Sequence, residues 1–361
     1  MDVAFVNSTL TLSIKILSNN CERIGISTCL IDSEAFDQLE RDVIKVNPKI
    51  LAISWNFNET IYKFICLSLK RIKEVCPNLK VIIHSYGASY DWKNLSQVNE
   101  IDYIVGGECD KSLPELCKKL LNNEIPAKLD YLTTQLPSLE DYDYENNFVI
   151  IKDILIIATS RNCIYSNNRC WYCPCYNLAY RRLDLDKIIA GLKKNVDFSK
   201  INRITLIDTE VLPEVINRLY KEFHKSIHAF VLFKDLVKLS PELKDSNSNF
   251  IFGSNIERSG LHSNVVYNTE VIDVVLDKVK DILSGNCIST TILVESKEDE
   301  ENHKELLKVF AKYPFINPNF CYYRKTPRNF DGNDLKENIY LEYKRNPYVW
   351  FDCVTNMEDA L

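Results

Sequence analysis

Long apolar runs, basic clusters and internal repeats are all missing from this sequence. No apolar run approaches the roughly 20 residues that a membrane-spanning helix needs. The N-terminal stretch MDVAFVNSTL has neither the basic region nor the long apolar region of a secretory signal. We therefore expect a cytoplasmic protein that does not associate with membranes. Repeats of solenoid period and low-complexity tracts are also absent, which excludes solenoid folds.

The charge balance argues against a nucleic-acid partner. The formal net charge is −6, and Lys and Arg are interleaved with Asp and Glu, as they are on solvated helix faces. Phosphate binding needs a clustered basic surface, which this sequence does not have.

The length of 361 residues, with 46% hydrophobic residues, suits two domains that each bury a core.

The first 122 residues alternate short Val- and Ile-rich runs with amphipathic segments such as Thr60–Val75. This alternation predicts a parallel sheet with helices on both faces. We expect a five-stranded, doubly wound α/β domain of the Rossmann-like type over residues 1–122. The strand candidates are Val3–Val6, Ser27–Ile31, Ile50–Ser54, Val81–His84 and Tyr103–Val105.

Residues 123–150 are mostly polar and predict a linker, and the alternation then resumes from residue 151 to residue 330. Six strand candidates predict a partial (β/α)6 barrel of the TIM type, whose chemistry belongs at the carboxyl ends of its strands. Residues 331–361 are a C-terminal extension to which we assign no chemistry. The barrel strands are expected at Ile154–Ala158, Arg203–Ile207, Ala229–Phe233, Phe250–Gly253, Ser289–Val294 and Phe320–Tyr323, and the helices at Asp184–Lys194, Leu212–Phe223, Asn268–Leu283 and Glu298–Lys312.

Four of the thirteen cysteines crowd into a short segment, from Cys163 to Cys175. The other nine are scattered singly and are interpreted as small buried apolar side chains. Disulfides are not expected in a cytosolic protein, so the crowded cysteines need another explanation. Metal binding is the explanation that their spacing favours.

Cys163, Cys170 and Cys173 have the spacing C-x6-C-x2-C in a predicted loop after the first barrel strand. Thiolates at this spacing can converge on one soft metal centre. Three ligands on a four-iron cluster leave one iron open to a substrate or cofactor. A zinc site that includes a fourth cysteine is the main alternative, and a segment without metal is another. The position at the mouth of the predicted barrel favours iron–sulfur.

This segment resembles the cysteine motif of radical S-adenosylmethionine enzymes. An aromatic residue precedes the last cysteine in that family, and Tyr172 occupies this position; the following stretch YRRLDLDKIIAGLKK resembles the entry into the family's first barrel helix. The first gap differs, because it contains six residues instead of the usual three. A longer gap is similar to that of some cobalamin-dependent members that act on ribosomal peptides. Cys175 is additional, and we interpret it as a packed side chain.

The resemblance implies a 4Fe-4S cluster whose open iron binds the amino and carboxylate groups of S-adenosylmethionine. One electron then cleaves the S–C5′ bond and gives a 5′-deoxyadenosyl radical that abstracts hydrogen from carbon. The electron would come from a donor such as flavodoxin or ferredoxin. The residues that the resemblance places at S-adenosylmethionine are Tyr172, Asp208, Glu210, Ser254 and Glu257.

The first domain resembles the cobalamin-binding domains that are fused to radical enzymes. The segments GGECDKSLPELCKKL and LAISWNFNET carry this resemblance, and no G-x-G-x-x-G follows the first strand as an ordinary dinucleotide site would require. The resemblance places Ser54, Asn56, Gly107 and Glu108 at cobalamin, and we add Gly87 because it follows the fourth strand at the carboxyl edge where open parallel sheets bind ligands.

Cobalamin domains of the methionine synthase kind carry Asp-x-His-x-x-Gly after the first strand, and this chain has no histidine there. We interpret His84 as a histidine satisfied at the end of a strand. A protein histidine is therefore not expected to hold the lower face of the corrin. A domain that keeps the fold without the cofactor is the alternative interpretation.

The leading functional hypothesis is transfer of a methyl group to carbon on a peptide or secondary-metabolite precursor. One S-adenosylmethionine would supply the methyl group through cobalamin, and a second would supply the radical. The runner-up is radical rearrangement, cyclisation or peptide modification without methyl transfer. A non-catalytic cobalamin or metal sensor is the third hypothesis, and the complete cysteine triad argues against it.

Overall fold

The computed structural model of the protein describes residues 1–7, 12–32, 36–55, 59–124, 142–162, 164, 179–252, 269–283, 285–294, 304–322 and 353–354. Contacts between Cα atoms divide these residues into two compact units, the first ending at Asn147 and the second beginning at Phe148. Within the described ranges, no helix has the length and apolar character that crossing a membrane requires.

In the described part of the first unit, a five-stranded sheet packs with five α-helices. The strands are β1 (Val3–Asn7), β2 (Thr28–Asp32), β3 (Ile50–Ser54), β4 (Lys80–Ser85) and β5 (Tyr103–Gly106), and the helices are α1 (Leu12–Arg23), α2 (Phe36–Val46), α3 (Glu59–Val75), α4 (Tyr86–Leu95) and α5 (Ser112–Leu121). All the strand pairs are parallel, in the order β2-β1-β3-β4-β5. The predicted doubly wound α/β domain is confirmed.

Two hydrophobic layers enclose this sheet, because successive strand residues point to opposite faces. Val3 and Phe5 pack with residues of α1 and α5, whereas Ala4 and Val6 pack with residues of α2, α3 and α4. The chain order reverses between β1 and β3. In open sheets of this kind, ligands bind beyond the carboxyl ends of the strands, beside that reversal.

The second unit is built on six consecutive parallel strands. Its strands are β6 (Val149–Ile151), β7 (Ile154–Ile157), β8 (Ser160–Arg161), β9 (Arg181–Arg182), β10 (Arg203–Leu206), β11 (Ser226–Phe230), β12 (Asn249–Phe252), β13 (Cys287–Val294), β14 (Ile316–Tyr322) and β15 (Cys353–Val354). The large sheet has the order β15-β14-β13-β12-β11-β10-β7-β6, and β8 pairs with β9 separately. The strands from β7 to β14 in this order are parallel, whereas β6 and β15 are antiparallel edge strands.

The predicted parallel strands of this unit are confirmed, and their closure into a barrel stays a prediction. Three details differ from the sequence analysis. The strand predicted at Phe320–Tyr323 is β14, which begins four residues earlier, at Ile316. Residues 149 and 150, which we placed in the linker, belong to β6. The strand predicted at Ala229–Phe233 is β11, which lies three residues earlier. Burial continues beyond the end of β11, at Val231, Leu232 and Phe233, so burial alone does not mark the end of the strand.

Four α-helices are described in the second unit: α6 (Leu185–Asn195), α7 (Pro213–Phe223), α8 (Thr269–Leu283) and α9 (Lys304–Phe310). Asp184 caps α6, because its side chain accepts hydrogen bonds from the backbone N–H groups of Asp186 and Lys187. The connection from β11 to β12 contains two 3₁₀ helices, Phe233–Lys238 and Pro241–Leu243.

A buried asparagine joins several loops at the amino-terminal edge of the second sheet. Asn286 Oδ1 accepts hydrogen bonds from Ser246 Oγ and from the backbone N–H of Ser248, both at 2.8 Å. Asn286 Nδ2 donates to the backbone oxygens of Leu243 at 3.0 Å and Ile282 at 2.9 Å. All the hydrogen-bonding capacity of this side chain is therefore used inside the protein.

We expect Asn286→Ala to lower the free energy of unfolding by about 3 kcal/mol, because it leaves several buried polar groups without partners. Urea denaturation measures this change. Asn202→Ala is the matched control, since Asn202 Nδ2 makes one exposed hydrogen bond of 2.8 Å to Asp153. The control should change stability by no more than about 0.5 kcal/mol. Equal effects of the two substitutions would contradict the role given to Asn286.

Candidate functional site

The loop that contains the clustered cysteines is closed at its base by a short hairpin. Ser160 pairs with Arg182 and Arg161 with Arg181 in the β8–β9 ribbon, directly after β7 ends. Asn162 Nδ2 extends this contact by donating to the backbone oxygen of Ala179 at 3.0 Å. The two ends of the loop are therefore held together at the carboxyl end of the first parallel strand, where chemistry is located in folds of this type.

Cys163, Cys170, Cys173 and Tyr172 lie outside the described residues, so their predicted roles stay predictions. In the part of the chain that the structure describes, no group of three or more His, Cys, Asp or Glu side chains could hold a metal ion. The donor set of the sequence nevertheless fits an iron–sulfur cluster, because thiolates are the ligands that such clusters use.

Asp208 lies at the end of the second parallel strand and is bonded to the base of the cysteine loop. Its side chain is only 4% exposed. The backbone N–H of Thr159 donates to Oδ1 at 2.9 Å and to Oδ2 at 3.0 Å. Thr159 Oγ1 and Ser160 Oγ donate to Oδ1 at 3.3 Å and 2.5 Å. Burial raises the pKa of Asp208, although the hydrogen bonds from Ser160 and Thr159 oppose this rise.

Thr209 and Glu210 follow Asp208 in the connection after β10. Thr209 Oγ1 donates to the backbone oxygen of Asn162 at 3.1 Å. Glu210 is half-buried in the same connection. Ser254 and Glu257, which the sequence analysis also placed at S-adenosylmethionine, lie outside the described residues. The contacts of Asp208 and Glu210 with that cofactor stay predictions.

The carboxyl edge of the first sheet brings together several residues predicted at cobalamin. Ser54 pairs with His84 across β3 and β4, and Trp55 follows as a buried side chain. The backbone N–H of Trp55 donates to the His84 oxygen at 2.8 Å. Ser85 Oγ donates to the Trp55 oxygen at 2.6 Å. Asn56 lies outside the described residues.

Two glycines at this edge are required by backbone geometry. A Cβ at Gly87 would overlap the Trp55 carbonyl oxygen and would lie 3.0 Å from its carbon. Gly107 has a φ of 73°, in the left-handed region that favours glycine, and its N–H donates to the Ser85 oxygen at 3.2 Å. Ser85 itself has a φ of 104°. The strand ends therefore approach each other closely at these positions.

Two buried side chains, His84 and Cys109, lie next to each other near these glycines. His84 is 2% exposed, and its Nδ1 lies 3.6 Å from Cys109 Sγ. Within the described residues, His84 Nε2 has no hydrogen-bond partner, so the interpretation of His84 as a satisfied histidine is wrong for this nitrogen. Glu108, the acidic residue that the sequence analysis placed at cobalamin, is 5% exposed. An unpartnered buried nitrogen and small residues at the sheet edge fit a polar ligand there.

Burial lowers the pKa of His84 from 6.5 to about 4. In the unfolded chain the ring takes up a proton below pH 6.5, whereas in the folded chain it stays neutral down to about pH 4. Stability is therefore lost as the pH falls through this window, by about 3 kcal/mol at its lower end. We expect His84→Gln to lose less stability than the wild type between pH 7 and pH 4.5 in urea titrations. Parallel pH profiles of the two proteins would contradict this.

The sequence analysis did not assign Trp55 and Ser85 to a site, although both lie at the carboxyl edge of the first sheet. Trp55 follows a buried strand, so its position along the chain was a signal that could have been used. The positive φ of Ser85 has no signal in the sequence, because serine seldom adopts this conformation.

Two comparisons found nothing: no model of a protein family matches the chain, and no curated protein matches it. Solved structures do match. The cobalamin-dependent S-adenosylmethionine radical enzyme OxsB with aqua-cobalamin bound aligns over 95% of the chain, with a TM-score of 0.61 and 15% identity. The chain shares the fold of the part of OxsB that aligns with it. OxsB with aqua-cobalamin and S-adenosylmethionine bound aligns over the same share, with a TM-score of 0.59 and 16% identity.

The similarity to OxsB extends over both units of the chain, since 95% of its residues align. It does not extend over all of OxsB, because the alignment spans 55% of the OxsB chain. At this level of identity the similarity concerns the fold, which agrees with the α/β architecture expected from the sequence.

Proposed function

We propose that this protein is a radical S-adenosylmethionine enzyme that carries a 4Fe-4S cluster and cobalamin and methylates carbon on a peptide or secondary-metabolite precursor. One observation carries this proposal. The cysteine triad C-x6-C-x2-C occurs in a loop whose base is fastened at the carboxyl end of the first parallel strand, in a chain that shares the fold of the aligned part of OxsB. OxsB is cobalamin-dependent and was solved with S-adenosylmethionine bound.

Cys163, Cys170 and Cys173 would hold the cluster. When bound, the cluster supplies one electron to S-adenosylmethionine, and cobalamin carries the methyl group. The chain's own residues bind and orient these groups and exclude water from them. Tyr172, Glu210, Ser254 and Glu257 would contact S-adenosylmethionine, as the resemblance implies.

Cobalamin would bind at the carboxyl edge of the first sheet. Four of the predicted residues lie at this edge: Ser54, Gly87, Gly107 and Glu108. The chain order of the sheet reverses between β1 and β3, and ligands of such sheets bind beside this reversal. Asn56 comes two residues after Ser54, which is the last residue of β3. The close approach of Gly87 to the Trp55 backbone leaves the edge without a protruding side chain at that position. Residues this small let a large flat ligand approach the strand ends.

The remaining parts of the proposal are the domain limits and localisation that the sequence patterns predict and the partners that the resemblance implies. The cobalamin-binding domain would cover residues 1–122, the linker 123–148, the radical domain 149–330, which includes β6, and the C-terminal extension 331–361. The protein would work in the cytoplasm with a small electron-transfer protein such as flavodoxin or ferredoxin. Its substrate would be a small molecule or a peptide.

Anaerobic purification with cobalamin supplied tests the cofactor part of the proposal. The absorption spectrum should show an iron–sulfur cluster and a corrin together, and iron analysis should give about four iron atoms per chain. A corrin-free spectrum would remove cobalamin from the proposal. A protein that contains zinc instead of iron would overturn the proposal as a whole.

Product analysis tests methyl transfer. Reduced protein supplied with cobalamin and S-adenosylmethionine should form both 5′-deoxyadenosine and S-adenosylhomocysteine. The first product reports radical cleavage, and the second reports removal of the methyl group. Formation of 5′-deoxyadenosine alone would support rearrangement, cyclisation or peptide modification instead. Failure to cleave S-adenosylmethionine at all would support a non-catalytic sensor.

A further inference from the structure

A network of hydrogen bonds centred on Asp208 ties the second parallel strand to the base of the cysteine loop. The carboxylate accepts four hydrogen bonds, two from the Thr159 backbone N–H and one each from the Thr159 and Ser160 hydroxyls. The partners lie 48 and 49 residues earlier in the chain. Neither Thr159 nor Ser160 is more than 7% exposed.

Thr159 and Ser160 are the residues through which the chain enters the cysteine loop. Ser160 begins β8, which pairs with β9. The backbone oxygen of Thr159 accepts a hydrogen bond of 3.0 Å from the N–H of Leu183, just after the loop returns. Asp208 therefore fixes the point where both ends of the loop meet. At the entering end, Ser160 lies three residues before Cys163 in the sequence.

A second contact from the end of β10 also holds the base of the cysteine loop. Thr209 Oγ1 donates to the Asn162 backbone oxygen at 3.1 Å, and Asn162 Nδ2 donates to the Ala179 oxygen at 3.0 Å. Asn162 has a φ of 65°, so the chain turns sharply at this residue. Two neighbouring residues of one strand end thus hold both sides of the loop base.

The chemistry of these donors explains why the central residue is a carboxylate. Both oxygens of Asp208 accept from the Thr159 N–H, so replacing either oxygen with an amide N–H₂ group places two donors against each other. Three donors, the Thr159 N–H and the hydroxyls of Thr159 and Ser160, also engage the carboxylate through four hydrogen bonds. A carboxylate that is 4% exposed and hydrogen-bonded through both oxygens by its own chain is better suited to hold the loop than to bind a ligand.

We propose that Asp208 is a positioning residue, which sets the place of the cysteine loop through Thr159 and Ser160 rather than through contact with S-adenosylmethionine. This inference rests on the proposed function, because the loop matters only if its cysteines hold the cluster. It assigns to Asp208 a role different from the S-adenosylmethionine contact that the resemblance implies.

Hydrogen exchange in the cofactor-free protein tests the fastening itself. In Asp208→Asn, we expect the amides of Thr159 and Leu183 to exchange at least about tenfold faster than in the wild type. Ser160→Ala keeps the carboxylate and should give a smaller increase, which covers the case that Asp208→Asn does not fold. Asn202→Ala is the matched control, because it removes one exposed hydrogen bond to Asp153, keeps global stability and should leave these two amides unchanged.

The reconstituted protein tests the consequence for the cluster. In Asp208→Asn, we expect the cluster to be lost to an iron chelator about tenfold faster than in the wild type. The electron paramagnetic resonance signal of the reduced cluster should also change less when S-adenosylmethionine is added. Asn286→Ala should match the wild type in both measurements, although it lowers stability.

Three results would overturn the inference. Unchanged exchange at Thr159 and Leu183 would show that Asp208 does not fasten the loop. Faster exchange with an unchanged cluster lifetime and spectrum would show fastening without positioning. A higher KM for S-adenosylmethionine with unchanged exchange would show direct contact instead. If the wild type takes up no iron, the proposed function fails, and the positioning role fails with it whatever the exchange data show.

Discussion

Replacing any one of Cys163, Cys170 and Cys173 with alanine should abolish cluster binding and S-adenosylmethionine cleavage. A cluster held by three thiolates has no spare ligand, so loss of one leaves the iron weakly held. Cleavage of S-adenosylmethionine should fall by on the order of 10³-fold or more, because the electron source of the reaction is removed. Iron analysis and 5′-deoxyadenosine formation by anaerobically reconstituted protein measure the two effects.

Cys175→Ala is the matched control for this experiment. It removes a thiol from the same short segment, and we interpret this thiol as outside the ligand set. The control should keep its iron and its cleavage activity within about twofold of the wild type. If Cys175→Ala loses iron as the triad variants do, the metal site has four cysteine ligands, and a structural zinc or iron site would replace the open cluster.

Gly87→Ala should destabilise the first unit and weaken cobalamin binding. The added Cβ would overlap the Trp55 carbonyl oxygen, and backbone atoms cannot move away as a flexible side chain can. We expect a loss of about 3 kcal/mol or more in the free energy of unfolding. The strand ends must also separate, which should lower the affinity for cobalamin by at least about tenfold if the ligand binds at this edge.

Gly25→Ala separates the effect of this overlap from the general cost of replacing a glycine. No atom lies within 4 Å of a Cβ at Gly25, although its φ of 83° disfavours alanine. This control should cost about 1 kcal/mol and should leave cobalamin affinity unchanged. Urea denaturation and equilibrium titration with cobalamin measure both variants. Similar losses of stability in the two variants would remove the special role of the contact between Gly87 and Trp55.

Local patterns in the sequence determined the secondary structure and the fold class. Short Val- and Ile-rich runs predicted β1 to β5 within one or two residues, because buried parallel strands need apolar side chains on both faces. The helix expected from Asp184 begins at the next residue, because a capping aspartate is itself a local signal. The spacing of the cysteines is also local, which is why the metal hypothesis could be made from sequence.

Contacts between distant residues were decided only by the tertiary structure. Asp208 is an acidic residue at a strand end in the sequence, and only the folded chain shows that Thr159 and Ser160 occupy its oxygens. Gly87 is a glycine after a strand, and only the fold brings it against the Trp55 backbone. The reason is that sequence patterns report which residues are buried or turn, whereas the partners of each buried group depend on how the strands pair.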